Sequence, residues 1–240
     1  MKIIVLDLID YKDNDVIING ISETGFVSFK VRGIKKPNSA FVWLNNRLVV
    51  ADVEYVENPR YRHQILKSAK MLDYPVKEST PGNLFGLSLA NEAVFKMLQD
   101  EDKHLIFHDL EGYIKAIKDY KDPCLPALIL LGKLMKVAGF ELEVNKCIYC
   151  GNTHDIVAFS FSEGGFICRN CLRNDVILSL NPKQMKLVRY VINQKDFNNL
   201  PYDKVSKVDV KVLLQKFYEF IRDGVGANVT SIGTLINTDF

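Results

Sequence analysis

The 240-residue sequence has little of what marks a membrane protein or an enzyme. Its longest apolar run, residues 127–131, is far short of the roughly 20 residues a bilayer-spanning helix needs. The opening MKIIVLDLID has one lysine ahead of its apolar stretch, Asp7 and Asp10 inside it and no small-residue cleavage site, a pattern unlike a secretory signal. Neither sign of charge is in excess: the net charge of +2 neither requires nor forbids a nucleic-acid partner, which responds to local concentrations of charge rather than to the total. Catalytic signatures are also missing. Arg32-Gly33-Ile34-Lys35-Lys36 lacks the second glycine and the hydroxyl residue of a phosphate loop, and there is no G-x-S-x-G elbow or H-E-x-x-H pair. His63, His104 and His108 are scattered, and the last two, four residues apart, read as a solvated helix face without acidic partners. The expectation is a non-enzymatic, cytoplasmic protein. With 48% apolar residues and 25% charged ones, the chain can bury a substantial core.

The order of elements predicts an α+β architecture. Residues 3–8, 16–22, 26–32, 48–56 and 65–72 are rich in β-branched and aromatic residues and break at turn signals such as Asp13-Asn14-Asp15, Thr24-Gly25 and Pro37-Asn38-Ser39, the pattern of a small sandwich or barrel. The third strand alternates Val27, Phe29 and Val31 with Phe26, Ser28, Lys30 and Arg32, so its basic residues should face away from the core. From Pro81 onward apolar residues recur every three or four positions, which predicts helices over 84–98, 105–117, 125–138, 183–193 and 207–222. Asp122-Pro123 and Asn181-Pro182 are helix starts, and Gly139 is a helix stop. The 125–138 segment is apolar on all sides through Leu131 and should be the centre of a bundle. In the last helix Val208, Val212, Leu213, Phe217, Phe220 and Ile221 are expected to face inward.

In a reducing compartment, regularly spaced cysteines point to metal rather than to disulfides. Cys147 and Cys150 form one C-x-x-C, Cys168 and Cys171 a second, and 17 residues separate the pairs. Two intervening residues let a tight turn bring both thiolates onto one tetrahedral ion, and a spacer of that length lets a second turn complete it, here as a β-hairpin. The expected cofactor is one structural zinc ion in a zinc ribbon, with no coordination position left for catalysis. A redox C-x-x-C would need only one pair and a βαβ setting. His154 is then a loop residue and Cys124 a small buried side chain.

Positive charge gathers in two stretches of the β-rich part: Lys30-Val31-Arg32-Gly33-Ile34-Lys35-Lys36, and Arg60-Tyr61-Arg62-His63 followed by Lys67 and Lys70. Basic residues interleaved with rings such as Phe26, Trp43 and Tyr61 suit single-stranded nucleic acid, where cations track phosphates and rings stack on bases. The same composition also suits an ordinary solvated surface.

The combination resembles the bacterial RecO family of recombination mediators. Arg32-Gly33-Ile34-Lys35-Lys36 is similar to a basic segment after the family's third strand. The run from residue 130 through Ala138-Gly139-Phe140 to Cys147-Ile148-Tyr149-Cys150-Gly151 is similar to its helix and first knuckle, although Ile148 stands where proline is common. Phe159-Ser160, Gly164-Gly165-Phe166 and Cys168-Arg169-Asn170-Cys171 match its second half, whereas residues 39–60 align poorly. The resemblance implies an N-terminal OB-fold barrel (1–78) and a helical domain (79–145 and 176–240) interrupted by the zinc lobe (146–175). It implies binding of single- and double-stranded DNA, annealing of complementary strands, and loading of RecA with RecR onto strands coated by single-strand-binding protein. The acidic C-terminal tail of that protein would be contacted by the helical domain, and a need for RecF is left open. The DNA-binding set expected from the basic stretches and the resemblance is Lys30, Arg32, Lys35, Lys36, Arg60 and Arg62. A protein–protein adaptor that uses the zinc ribbon without touching nucleic acid is the alternative.

Overall fold

The computed structural model describes residues 1–57, 63–75, 80–119, 122–174 and 180–238. Five strands, β1 (Lys2–Tyr11), β2 (Asp15–Ser22), β3 (Gly25–Val31), β4 (Val50–Val56) and β5 (Gln64–Asp73), close into a barrel in the order β1-β2-β3-β5-β4. Only β3 and β5 pair in parallel, which is the connectivity of an OB-fold. The register of β2 with β3 sets Val16, Ile18, Phe29 and Val31 inward, and with Ile3, Val5 and Leu66 they fill the barrel. Phe26, Ser28, Lys30 and Arg32 therefore lie on the outside, as the alternation predicts.

The alternating faces of β1 serve two cores, Ile3 and Val5 pointing into the barrel and Ile4 and Leu6 away from it. Ile4 and Leu6, with Ile21, Leu48 and Val50, leave the barrel interior and join the core of the helices. Those helices are α1 (Pro81–Met97), α2 (Phe107–Asp119), α3 (Cys124–Val137), α4 (Pro182–Asn193), α5 (Lys207–Phe220) and α6 (Thr230–Asn237). Their starts follow the expected chemistry. The Thr80 hydroxyl caps α1 ahead of Pro81, Asp122 accepts from the Cys124 N–H, and Asn181 and Gln184 form a reciprocal capping box on α4. The apolar helix α3 is the hub and packs on α1, α2, α4 and α5. At Gly86 a Cβ would stand 2.1 Å from Ile117, because α1 and α2 approach closely enough for the Tyr113 hydroxyl to donate to the Gly86 carbonyl.

Three apolar residues lie elsewhere than the periodicity places them. Val208 is 71% exposed and Leu105 56%, and Leu84 is also exposed. Leu213, Phe217 and, just past α5, Ile221 are buried as expected, but Val210 and Leu214 complete the inward stripe, and Val208 is off it in the first turn. Leu105 falls in a short 3-10 turn (Lys103–Ile106), where the 3.6-residue period does not apply.

Candidate metal centre and nucleic-acid interface

The metal-ligating candidates converge. Cys147, Cys150, Cys168 and Cys171 bring their sulfurs within 4.8 Å of one another, and the Cys150 and Cys168 sulfurs are 3.7 Å apart. A tetrahedron with metal–sulfur bonds of about 2.3 Å has an edge of about 3.8 Å, so the donor set fits a thiophilic dication. Each knuckle is built by the backbone. Gly151, at φ 73°, turns its N–H onto the Cys147 carbonyl, while the Cys147 N–H donates to Asn152. β6 (Ile156–Ser160) and β7 (Gly165–Cys168) form the hairpin that delivers the second pair. Burial raises the Cys147 thiol, but N–H groups of Cys168, Cys150 and Tyr149 outweigh it and bring its pKa down to about 6. Cys171, hydrogen-bonded to Cys150 and partly desolvated among the other thiols, is pushed up to about 12. Four sulfurs this close cannot all ionise without a cation among them, and a dication removes that conflict. His154 lies outside the cluster and is exposed, and Cys124 is buried in α3 with its thiol pushed well above its ordinary range by desolvation.

The lobe is not a detached excursion. Phe159 and Phe166 meet edge to face, Phe161 packs on Phe217 and Phe220 of α5, and all three lobe rings belong to the helical core. The Gly165 backbone pairs with Glu143, leaving no room for a Cβ, which would stand 2.3 Å from the Glu143 oxygen.

The basic segment after β3 forms one end of the barrel together with the β1–β2 turn. Gly33, at φ 65°, donates its N–H to Asp15, and the Lys35 N–H donates to the Asn14 carbonyl. Asp15 is held below the usual carboxylate range, chiefly by that Gly33 N–H and then by Lys30. Lys30 pairs with Asp15 at 3.4 Å and lies 4.0 Å over the Tyr11 ring, and Lys35 pairs with Asp10 at 2.6 Å. Arg32 and Lys36 are exposed, have no ion pair among the described residues and line an open hollow of about 350 Å³ with Lys12 and Gly33. The structure thus brings Lys30, Arg32, Lys35 and Lys36 to one end of the barrel. Arg60, Arg62 and Tyr61 lie outside the described residues. Trp43 is half-buried against the barrel core, its indole N–H bound to the Ala40 carbonyl, whereas Phe26 is exposed.

Sequence reasoning missed a polar chain on the outer face. The Ser28 hydroxyl lies 2.7 Å from both Asn19 Oδ1 and His63 Nδ1. The alternation of β3 marks Ser28 as outward, but only the β3–β5 pairing brings in His63.

A family model described as recombination protein O, C terminal, matches residues 78–221, which span α1 to α5 and the four cysteines. The chain belongs to the RecO family. Proteins named DNA repair protein RecO extend the likeness across the barrel. The RecO of Exiguobacterium sibiricum is 28% identical over 228 residues, covering 92% of this chain and 87% of its own. Those of Halalkalibacterium halodurans and Bacillus subtilis are each 22% identical, over 90% of this chain and 87% and 86% of theirs. In this RecO-family chain no described helix is long and apolar enough to cross a membrane.

Proposed function

We propose that this protein is a non-enzymatic DNA-repair and recombination mediator. It binds single- and double-stranded DNA, anneals complementary strands and, with RecR, helps load RecA onto strands covered by single-strand-binding protein, whose tail its helices contact. The observation that carries this reading is a RecO-family chain whose OB-fold barrel gathers Lys30, Arg32, Lys35 and Lys36 at one end. These cations would neutralise phosphates of two strands brought together, so that pairing proceeds without the full repulsion between backbones. The four thiolates are the donor set of a structural zinc ion, which would hold the lobe against α5 and leave no open position for chemistry.

The test is strand annealing of complementary oligonucleotides, bare and coated with single-strand-binding protein. Acceleration of both is the expected result. Oligonucleotide affinity should fall steeply with salt, by about 0.7 logarithmic units per phosphate contact for each tenfold rise in salt on single strands. Absence of any oligonucleotide binding at low salt would overturn the reading in favour of a protein–protein adaptor.

A further inference from the structure

The four clustered cysteines are not equivalent toward solvent. Cys147 and Cys168 are each 1% exposed, whereas Cys150 is exposed and Cys171 partly so, and the second cysteine of each C-x-x-C therefore forms the outer edge of the cluster. The inner edge is built into the lobe. Cys168 ends β7 and pairs with Ile156 of β6, and the Cys147 sulfur accepts backbone N–H groups of Cys168, Cys150 and Tyr149. The Ile148 N–H donates to the Phe166 carbonyl and the Arg169 N–H to the Asp155 carbonyl, which fastens both knuckles to the hairpin. Cys150 and Cys171 instead stand at the ends of two short turns, with all four sulfurs within 4.8 Å of one another. A thiol coordinated to a dication is held as the thiolate, and oxidation of cysteine follows thiolate character and exposure. Both conditions meet at Cys150 and Cys171. Cys124 meets neither, being 2% exposed with its thiol pushed well up by desolvation.

Resting on the reading of this centre as a structural zinc site, we infer that Cys150 and Cys171 are an oxidative modification site, a dithiol that hydrogen peroxide converts to a disulfide with release of the ion. The more exposed Cys150 reacts first. Its sulfur attacks one peroxide oxygen, an S–O bond forms as the O–O bond breaks, and the departing hydroxide takes a proton from solvent. The Cys171 sulfur then attacks the Cys150 sulfur, an S–S bond forms as the S–O bond breaks, and a second hydroxide leaves and is protonated. The two sulfurs together give up two electrons, and the peroxide is reduced to two waters. Sulfurs already within 4.8 Å need only a short approach to reach the roughly 2 Å of a disulfide. Cys147 and Cys168, left as two thiolates, no longer complete a tetrahedral donor set, and the ion passes to water. The new bond joins the same two knuckles that the ion joined, so the lobe keeps a tie between them in either state. A dithiol reductant attacking the exposed disulfide returns the two electrons and restores the four-sulfur set.

The experiment treats the full-length, zinc-loaded protein with hydrogen peroxide and follows released zinc with the chelating dye 4-(2-pyridylazo)resorcinol. Remaining thiols are alkylated and mapped by peptide mass spectrometry. About one equivalent of zinc per chain should be released as two of the five thiols are lost. The map should show a linked Cys150–Cys171 peptide, with Cys124, Cys147 and Cys168 recovered as thiols, and dithiothreitol followed by zinc should restore the metal content. Cys171→His keeps a fourth metal donor but removes the second outer thiol. Peroxide should leave its Cys150 as a sulfenic acid that dimedone traps, with no disulfide formed. If that variant fails to fold, the wild-type map alone decides the pairing. Zinc retained through excess peroxide, a wild-type disulfide made from any other pair, or a folded Cys171→His chain that still closes a disulfide would overturn the modification site and leave the metal centre standing. Protein that carries no zinc when purified without chelator would remove the metal reading, and the modification site with it.

Discussion

Two carboxylates show how far single residues set the behaviour of this protein. Asp10 holds Lys35 in an exposed ion pair of the kind worth about 0–1 kcal/mol, so a phosphate can displace it at little cost. Replacing Lys35 and Lys36 together with alanine is expected to lower single-strand affinity and to shrink the salt slope by about 0.7 for each phosphate that is no longer neutralised, with Tm nearly unchanged. An unchanged slope in filter-binding titrations would move the phosphate-binding face elsewhere. Glu92 on α1 is different. Partial burial raises its pKa, but Lys96, both the hydroxyl and the backbone N–H of Ser231, and Thr230 outweigh that and hold it at about 2, below the ordinary 4.5. A lowered carboxylate contributes stability that is fully present above the ordinary value and is lost as pH falls through the folded one. Glu92→Gln should therefore be less stable than wild type by about 1–2 kcal/mol near neutrality, allowing for solvent screening, with the gap closing between pH 4.5 and 2 in thermal melts.

At the scale of elements, the hairpin of β6 and β7 joins the metal centre to the bundle. Its three phenylalanines are core residues, so loss of the metal should loosen α5 as well as the lobe. Metal analysis is expected to find about one zinc per chain, and Cys168→Ser to abolish it and lower Tm by about 5–10 °C. Retention of full thermal stability in a metal-free Cys168→Ser variant would show that the rings alone hold the lobe. The same scale explains where periodicity succeeded. The helices α3 and α4 were legible because proline, cap residue and apolar pattern agree at the same positions. The burial of α5 was legible only in part, because a period of 3.6 admits neighbouring stripes and only packing on α3 and α6 selects the one through Val210 and Leu214.

For the whole molecule, the outward residues Ile4, Leu6 and Ile21 tie barrel and helices into one core, reinforced by the Lys2–Glu111 pair at 2.6 Å. The two parts are expected to unfold together. Trp43, the single tryptophan, reports on the barrel, and far-ultraviolet dichroism reports mainly on the helices, so the two denaturation curves should coincide. Ile21→Ala should shift both curves alike, by about 2–4 kcal/mol. Separate transitions would make the barrel an independent unit.

The sequence by itself determined the strands, helices α1 to α5, the α+β order and the cysteine spacing of the metal centre, because each depends on residues close in the chain, whereas the short α6 was not read from it. It also placed Phe26, Ser28, Lys30 and Arg32 on one side of β3, since a strand alternates its faces. Tertiary structure alone decided the rest. Only the docking of the helices on the barrel buries the outward Ile4 and Leu6, and only the pairing of β3 with β5 sets His63 beside Ser28, 35 residues away in sequence. Strand neighbours are chosen by closing the barrel around its core, a long-range condition to which no local pattern is sensitive.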